Sequence, residues 1–173
     1  MIGLMAVLGL AACATVVVPV FPPLTDTPPD PVTAATSPCA APSDHNVIES
    51  DLRQRLDALR AEQGLPALMY DLRLARAAQR QACDNAMRES IDHRGIDGSD
   101  LTTRLRREGF GLWRAAENTA LIRPGTEDAL ELWTQSRPHR ANLLLSTVDS
   151  VGLGRATAPS GRDAWVLVLG RGR

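Results

Sequence analysis

The chain predicts an α+β fold: a three-layer α-β-α sandwich with a small, mainly antiparallel sheet between helices. Three observations carry this. Apolar residues recur at helical spacing over 46–63, and alanines do so over 71–89. Three later segments, Leu112–Ile122, 149–157 and 164–170, read as strands. One of them, Trp165-Val166-Leu167-Val168-Leu169, has no polar member, as expected of a strand covered on both faces.

The elements follow in order. Ile48, Leu52, Leu56 and Leu59 give the first helix its inner face, and Gly64 with Pro66 ends it. Asp71 is the expected N-cap of the second helix, whose inner face is small: Ala75, Ala78, Ala82 and Ala86. Alanine there lets another element approach closely. Gly95 and Gly98 turn the chain, and a short amphipathic helix over 99–108 closes at Gly109. After the strand Leu112–Ile122, Pro124-Gly125 makes a turn. Thr126 is the expected cap of a helix that carries Leu130 and Trp133 and stops before Pro138. Glu127 and Asp128 suit that helix's N-terminal dipole. Trp113, Trp133 and Trp165 are expected in the core.

A chain of 173 residues can bury a real core and suits one domain with extensions. The net charge of −1 gives no electrostatic case for a nucleic-acid partner. Every basic side chain is arginine; with no lysine, Schiff-base and P-loop chemistry are excluded.

The chain divides at 1–18, 19–45 and 46–173. No charged residue occurs before Pro23, and Leu10-Ala11-Ala12-Cys13 resembles the lipobox of bacterial lipoproteins, with Cys13 the lipidated residue. The basic n-region of a signal peptide is missing, and apolar residues continue to Phe21. Three readings therefore stand: a lipoprotein signal, an uncleaved membrane anchor and an ordinary cleaved signal. Each puts the domain outside the cytoplasm, at a membrane or secreted. Residues 19–45, rich in Pro, Thr, Ala and Ser, read as a semi-rigid tether. Cys39 and Cys83 make an even pair suited to a disulfide in that setting; alternatively, Cys83 is a small buried apolar residue.

Two histidines stand in informative surroundings: Asp92-His93-Arg94-Gly95-Ile96-Asp97-Gly98-Ser99 and Trp133-Thr134-Gln135-Ser136-Arg137-Pro138-His139-Arg140-Ala141-Asn142-Leu143-Leu144. Glu117-Asn118 lies between them; Leu65-Pro66-Ala67-Leu68 precedes them and Val151-Gly152-Leu153-Gly154 follows. With these segments in this order, the chain resembles the CAP superfamily (cysteine-rich secretory proteins, antigen five and pathogenesis-related-one; SCP domains), in its short bacterial branch. The resemblance implies an α-β-α sandwich and a cleft with two histidines and two glutamates. It assigns His93, His139 and Glu117 to that cleft, with Asn118 beside them. The second glutamate would fall at Ser136, which leaves one carboxylate fewer. Lipid, sterol-like or envelope ligands are associated with the family.

Two imidazoles and a carboxylate also suit zinc, making His93 and His139 candidate metal ligands. A hydrolytic alternative has two forms. Metal-bound water would be activated with Glu117 as base, or Ser136 or Ser99 would be the nucleophile with a histidine as base. Neither serine lies in a Gly-x-Ser-x-Gly elbow. Arg94 and Arg140, one beside each histidine, would attract an anionic ligand unless Asp92 and Asp97 pair with them. The leading expectation is an exported, anchored binding protein, with a hydrolase as rival.

Overall fold

The computed structural model describes residues 41–123, 125 and 128–173. Cys13, Cys39, the lipobox and most of the tether lie outside the described residues. Helices α1 (His45–Ala61), α2 (Leu72–Arg88), α3 (Leu101–Arg107), α4 (Ala129–Gln135) and α5 (Arg137–Leu143) surround a sheet of β1 (Met69–Tyr70), β2 (Leu112–Ile122), β3 (Ser150–Thr157) and β4 (Asp163–Gly172). The sheet order is β1-β3-β4-β2; β1 runs parallel to β3, and the other pairs are antiparallel. Among the described residues no helix is long and apolar enough to cross a membrane.

Two cores lie on opposite faces of the sheet, because successive strand residues point to opposite sides. Leu167 and Leu169 of β4 join Val151, Leu153, Ala120 and Ile122 against α1, α4 and α5. Their neighbours Val166 and Val168 pack instead with Leu74, Ala78 and Ala82 of α2 and Leu105 of α3. The all-apolar strand is thus covered on both faces, as its composition predicts.

Seating α2 is the tightest contact. Asp71 caps it through a bond from Arg73 N, and its alanine face lies directly over β3. A Cβ on Gly152 would sit 2.5 Å from the Leu74 carbonyl carbon, and one on Gly154 would sit 2.5 Å from the Ala78 oxygen. The glycines of Val151-Gly152-Leu153-Gly154 are therefore there for packing. Beyond β1, which pairs only with Ser150 and Val151, the free edge of β3 is met by Gln79. Its amide accepts from Arg155 N (3.0 Å) and donates to Arg155 O (2.9 Å).

Four expectations are corrected. The two-residue β1 was not foreseen, being too short to show a period. Asp128, not Thr126, caps α4, through a bond from Glu131 N; Thr126 lies outside the described residues. Pro138 does not only end a helix: it sits in the first turn of α5, where a missing N–H costs nothing. Trp113 is 57% exposed, with Arg171 stacked on its ring, because the register shifts between Leu112 and Arg114 and turns it outward. Trp133 is fully buried as expected, and Trp165 is half-buried under Arg155.

Substituting Ala for Gly152 or Gly154 should destabilise the domain by about 1–3 kcal/mol, because overpacking outweighs the ~0.4–1 kcal/mol gained by restricting the unfolded chain. Urea unfolding of each variant measures this. A neutral or stabilising result would show that α2 is not held by backbone proximity.

Candidate functional site

The site is built around the edge strand β2. Glu117 and Asn118 are adjacent, so their side chains leave the sheet on opposite faces. Glu117 points to the α2–α3 layer, and both its oxygens are engaged there. Oε1 accepts the Nδ1–H of His93 (2.9 Å) and Oε2 accepts from Arg104 Nη2 (2.5 Å). Asn118 points to the other layer, where its amide donates to the His139 carbonyl (3.1 Å) and accepts from Asn142 Nδ2 (2.9 Å).

His93 is held from behind by three sets of bonds. Gln81 on α2 donates to the carbonyls of Asp92 (2.8 Å) and Arg94 (3.1 Å), and Asn85 donates to Asp92 O (3.1 Å). Arg104 Nη1 donates to the carbonyls of His93 (3.0 Å) and Ser99 (3.2 Å). The loop itself closes through Gly95 N to Ser99 O (2.9 Å), and a Cβ on Gly95 would strike the Ser99 hydroxyl. Only the outer part of the imidazole is free: the His93 side chain is 59% exposed, whereas Glu117 and Arg104 are 3% and 2% exposed.

Arg104, Gln81, Asn85 and Asn142 did not emerge from the sequence reading. One signal was present. In α3, Leu101, Arg104 and Leu105 share the inward face, and an arginine at such a position needs buried acceptors.

The two histidines are driven apart in charge. The Glu117 hydrogen bond holds His93 above the usual imidazole value, against the opposing pull of burial; the Glu117 charge reinforces it and Arg104 opposes it. Burial pushes His139 below that value, and the charge of His93 lowers it further. The two shifts run in opposite directions, so protonation is favoured at His93 and disfavoured at His139.

Ser136 forms the joint between α4 and α5: its N–H bonds Leu132 O, and its carbonyl accepts from Arg140 N (2.8 Å). Among the described residues neither Ser136 nor Ser99 hydrogen-bonds a histidine, so no serine–histidine pair is assembled. Among the described residues, no group of three or more His, Cys, Asp or Glu is arranged to hold a metal. The donor set fits zinc poorly, since Glu117 is already shared between Arg104 and His93, leaving two imidazoles. Asp92 and Asp97 pair with Arg88 and Arg107 rather than with Arg94 or Arg140. Arg94 is exposed, and Arg140 is half-buried beside His139. Cys83 is buried and disulfide-bonded.

The profile of the cysteine-rich secretory protein family (CAP) matches residues 53–169. YkwD, an uncharacterized protein of Bacillus subtilis (strain 168), is 26% identical over 115 residues, 66% of this chain and 45% of that protein. The chain thus spans less than half the length of that relative. An outer surface protein from Borrelia burgdorferi shares the fold with a TM-score of 0.66 at 21% identity, over 78% of this chain and 99% of that one. An extracellular SCP-domain protein from Bacillus anthracis gives a TM-score of 0.64 at 25% identity, over 73% of this chain and 41% of that one.

In an NMR titration His93 should titrate above a free imidazole and His139 below it, and Glu117→Gln should move His93 downward. The stability contributed by His93 is full below the unfolded-state value near 6.5 and is lost as pH rises through its raised folded value. For His139 the contribution is present above that unfolded value and is lost as pH falls through the lowered folded one. Coincident titration of the two rings would refute the proposed separation.

Proposed function

Because the chain belongs to the cysteine-rich secretory protein (CAP) family, we propose that it is an exported, lipid-anchored surface protein whose cleft binds a ligand through an anionic group. The matched relatives support export: one is an outer surface protein and another an extracellular protein. The Leu10-Ala11-Ala12-Cys13 sequence supports anchoring through a lipid on Cys13.

The observation that carries the ligand reading is the exposed His93 ring, fixed by the buried Glu117–Arg104 pair. Arg104 offsets the Glu117 charge, so a protonated His93 is not cancelled within the site. Arg94, Arg137 and Arg140 add positive charge in the segments around the two histidines, and no acidic partner pairs with them among the described residues. A carboxylate or phosphate on an organic envelope molecule answers that field.

NMR titration with inorganic phosphate, and separately with acetate, tests this. The ring signals of His93 and His139 should move together and saturate, and the accompanying shifts of the Arg94 and Arg140 backbone amides should vanish in His93→Ala/His139→Ala. Unmoved ring signals in wild type, or amide shifts that survive the double substitution, would reject the cleft as an anion site. The anchor has its own measurement: Cys13→Ser should remove the lipid mass and release the protein from membranes. Membrane retention at unchanged mass would refute lipidation.

A further inference from the structure

A buried arginine stands where a metal-site reading would need a cation. Arg104 is enclosed between α3, the His93 loop and β2, with its side chain 2% exposed. One terminal nitrogen donates to Glu117, and the other donates to the carbonyls of His93 and Ser99. We infer that Arg104 is the resident cation of this cleft: it takes the place at Glu117 that a divalent metal would require and, acting through Glu117, aims the His93 ring without one.

The geometry supports this in three steps. A catalytic zinc site holds three protein ligands at about 2.0–2.2 Å for nitrogen and oxygen. Among the described residues the carboxylate that hydrogen-bonds a histidine ring is Glu117; it is bonded on both oxygens, and a divalent ion brought to it would be repelled by the guanidinium already in contact with it. His93 has spent Nδ1 on Glu117, so only Nε2 remains, and His139 supplies the second imidazole. Two ligands are one short. The same contact would serve as the outer-shell bond of a metal-bound histidine, but here the carboxylate's other oxygen is fixed by an arginine fork. Arg104 is thus a positioning residue: it acts on a ligand only through His93. The inference concerns the same cleft as the ligand reading but stands without it, since phosphate or acetate can fail to bind while zinc behaviour and ring orientation remain as expected.

Two measurements on the full chain test it. The first is calorimetric titration with zinc. Wild type and His93→Ala/His139→Ala should give the same isotherm. Zinc bound by wild type at micromolar or tighter affinity and lost in the double variant would overturn the inference. The second is the tautomer of the His93 ring, read from its 15N signals at a pH where the ring is neutral. Wild type should hold the proton on Nδ1. Arg104→Lys keeps a charge but cannot reach Glu117 and two carbonyls with one fork, so the Nδ1–H population should fall while His45 stays unchanged. Arg104→Met should release Glu117, so that zinc binding lost on removal of the two histidines, absent from wild type, becomes detectable in the variant. An unchanged His93 tautomer in a folded Arg104→Lys protein would refute the positioning role. If Arg104→Met does not fold, the wild-type isotherm and the lysine variant still decide.

Discussion

The close seating of α2 on β3 is the constraint from which the rest of the domain follows. Gly152 and Gly154 remove the side chains that would hold the helix off the strand, and alanines at 75, 78 and 82 do the same from the helix side. Once α2 lies at that depth, its polar residues gain fixed reach. Gln79 meets the unpaired edge of β3, while Gln81 and Asn85, both fully buried, reach the carbonyls of the His93 loop. A helix set further from the sheet would leave those amides and carbonyls unsatisfied, at roughly 1–3 kcal/mol for each buried group. Packing on one face of the sheet therefore fixes the position of a histidine at its margin.

The period of two along β2 does the remaining assembly. In a strand with helices on both faces, neighbouring residues necessarily belong to different layers. Glu117 is committed to α3 and the His93 loop, and Asn118 to α5. Because β2 is an edge strand, the groups these residues hold can meet around its margin instead of being separated by the sheet. This explains how histidines 46 positions apart, on opposite layers, come within each other's electrostatic influence.

Much of this was legible in the sequence. The alanine stripe of α2, the uninterrupted apolar run of β4 and the Asp71 cap each state their role locally. So did the bounds of β2, which agree with the strand read from its pattern. What escaped was of three physical kinds. β1 has two residues, too few for any period, and exists only because β3 offers it an edge. Pro138 can end one helix or open the next, and only the neighbouring elements decide which. Trp113 faces outward because of a register shift, which no composition rule anticipates. The site was half visible: His93, Glu117, His139 and Asn118 were named, but their supporting residues looked like ordinary helical polar side chains. Arg104 alone carried a trace, as a charge on an apolar face.

That trace has a thermodynamic meaning. Burying an ion pair rarely adds stability over an apolar pair of similar volume, whereas removing one partner typically costs about 3–5 kcal/mol. A domain stable by only ~5–15 kcal/mol gains little from keeping Arg104 and Glu117 as packing alone. The pair makes sense as a support for what it touches, since Arg104 bonds the backbone of His93 while Glu117 bonds its ring. Main chain and side chain of one residue are thereby fixed from a single buried point. His139 is held differently: its carbonyl is bonded by Asn118, and its imidazole has no hydrogen-bond partner among the described residues. One ring is therefore held by a buried carboxylate that favours its protonated form, and the other is left to burial and to the charge of its neighbour, both of which disfavour it.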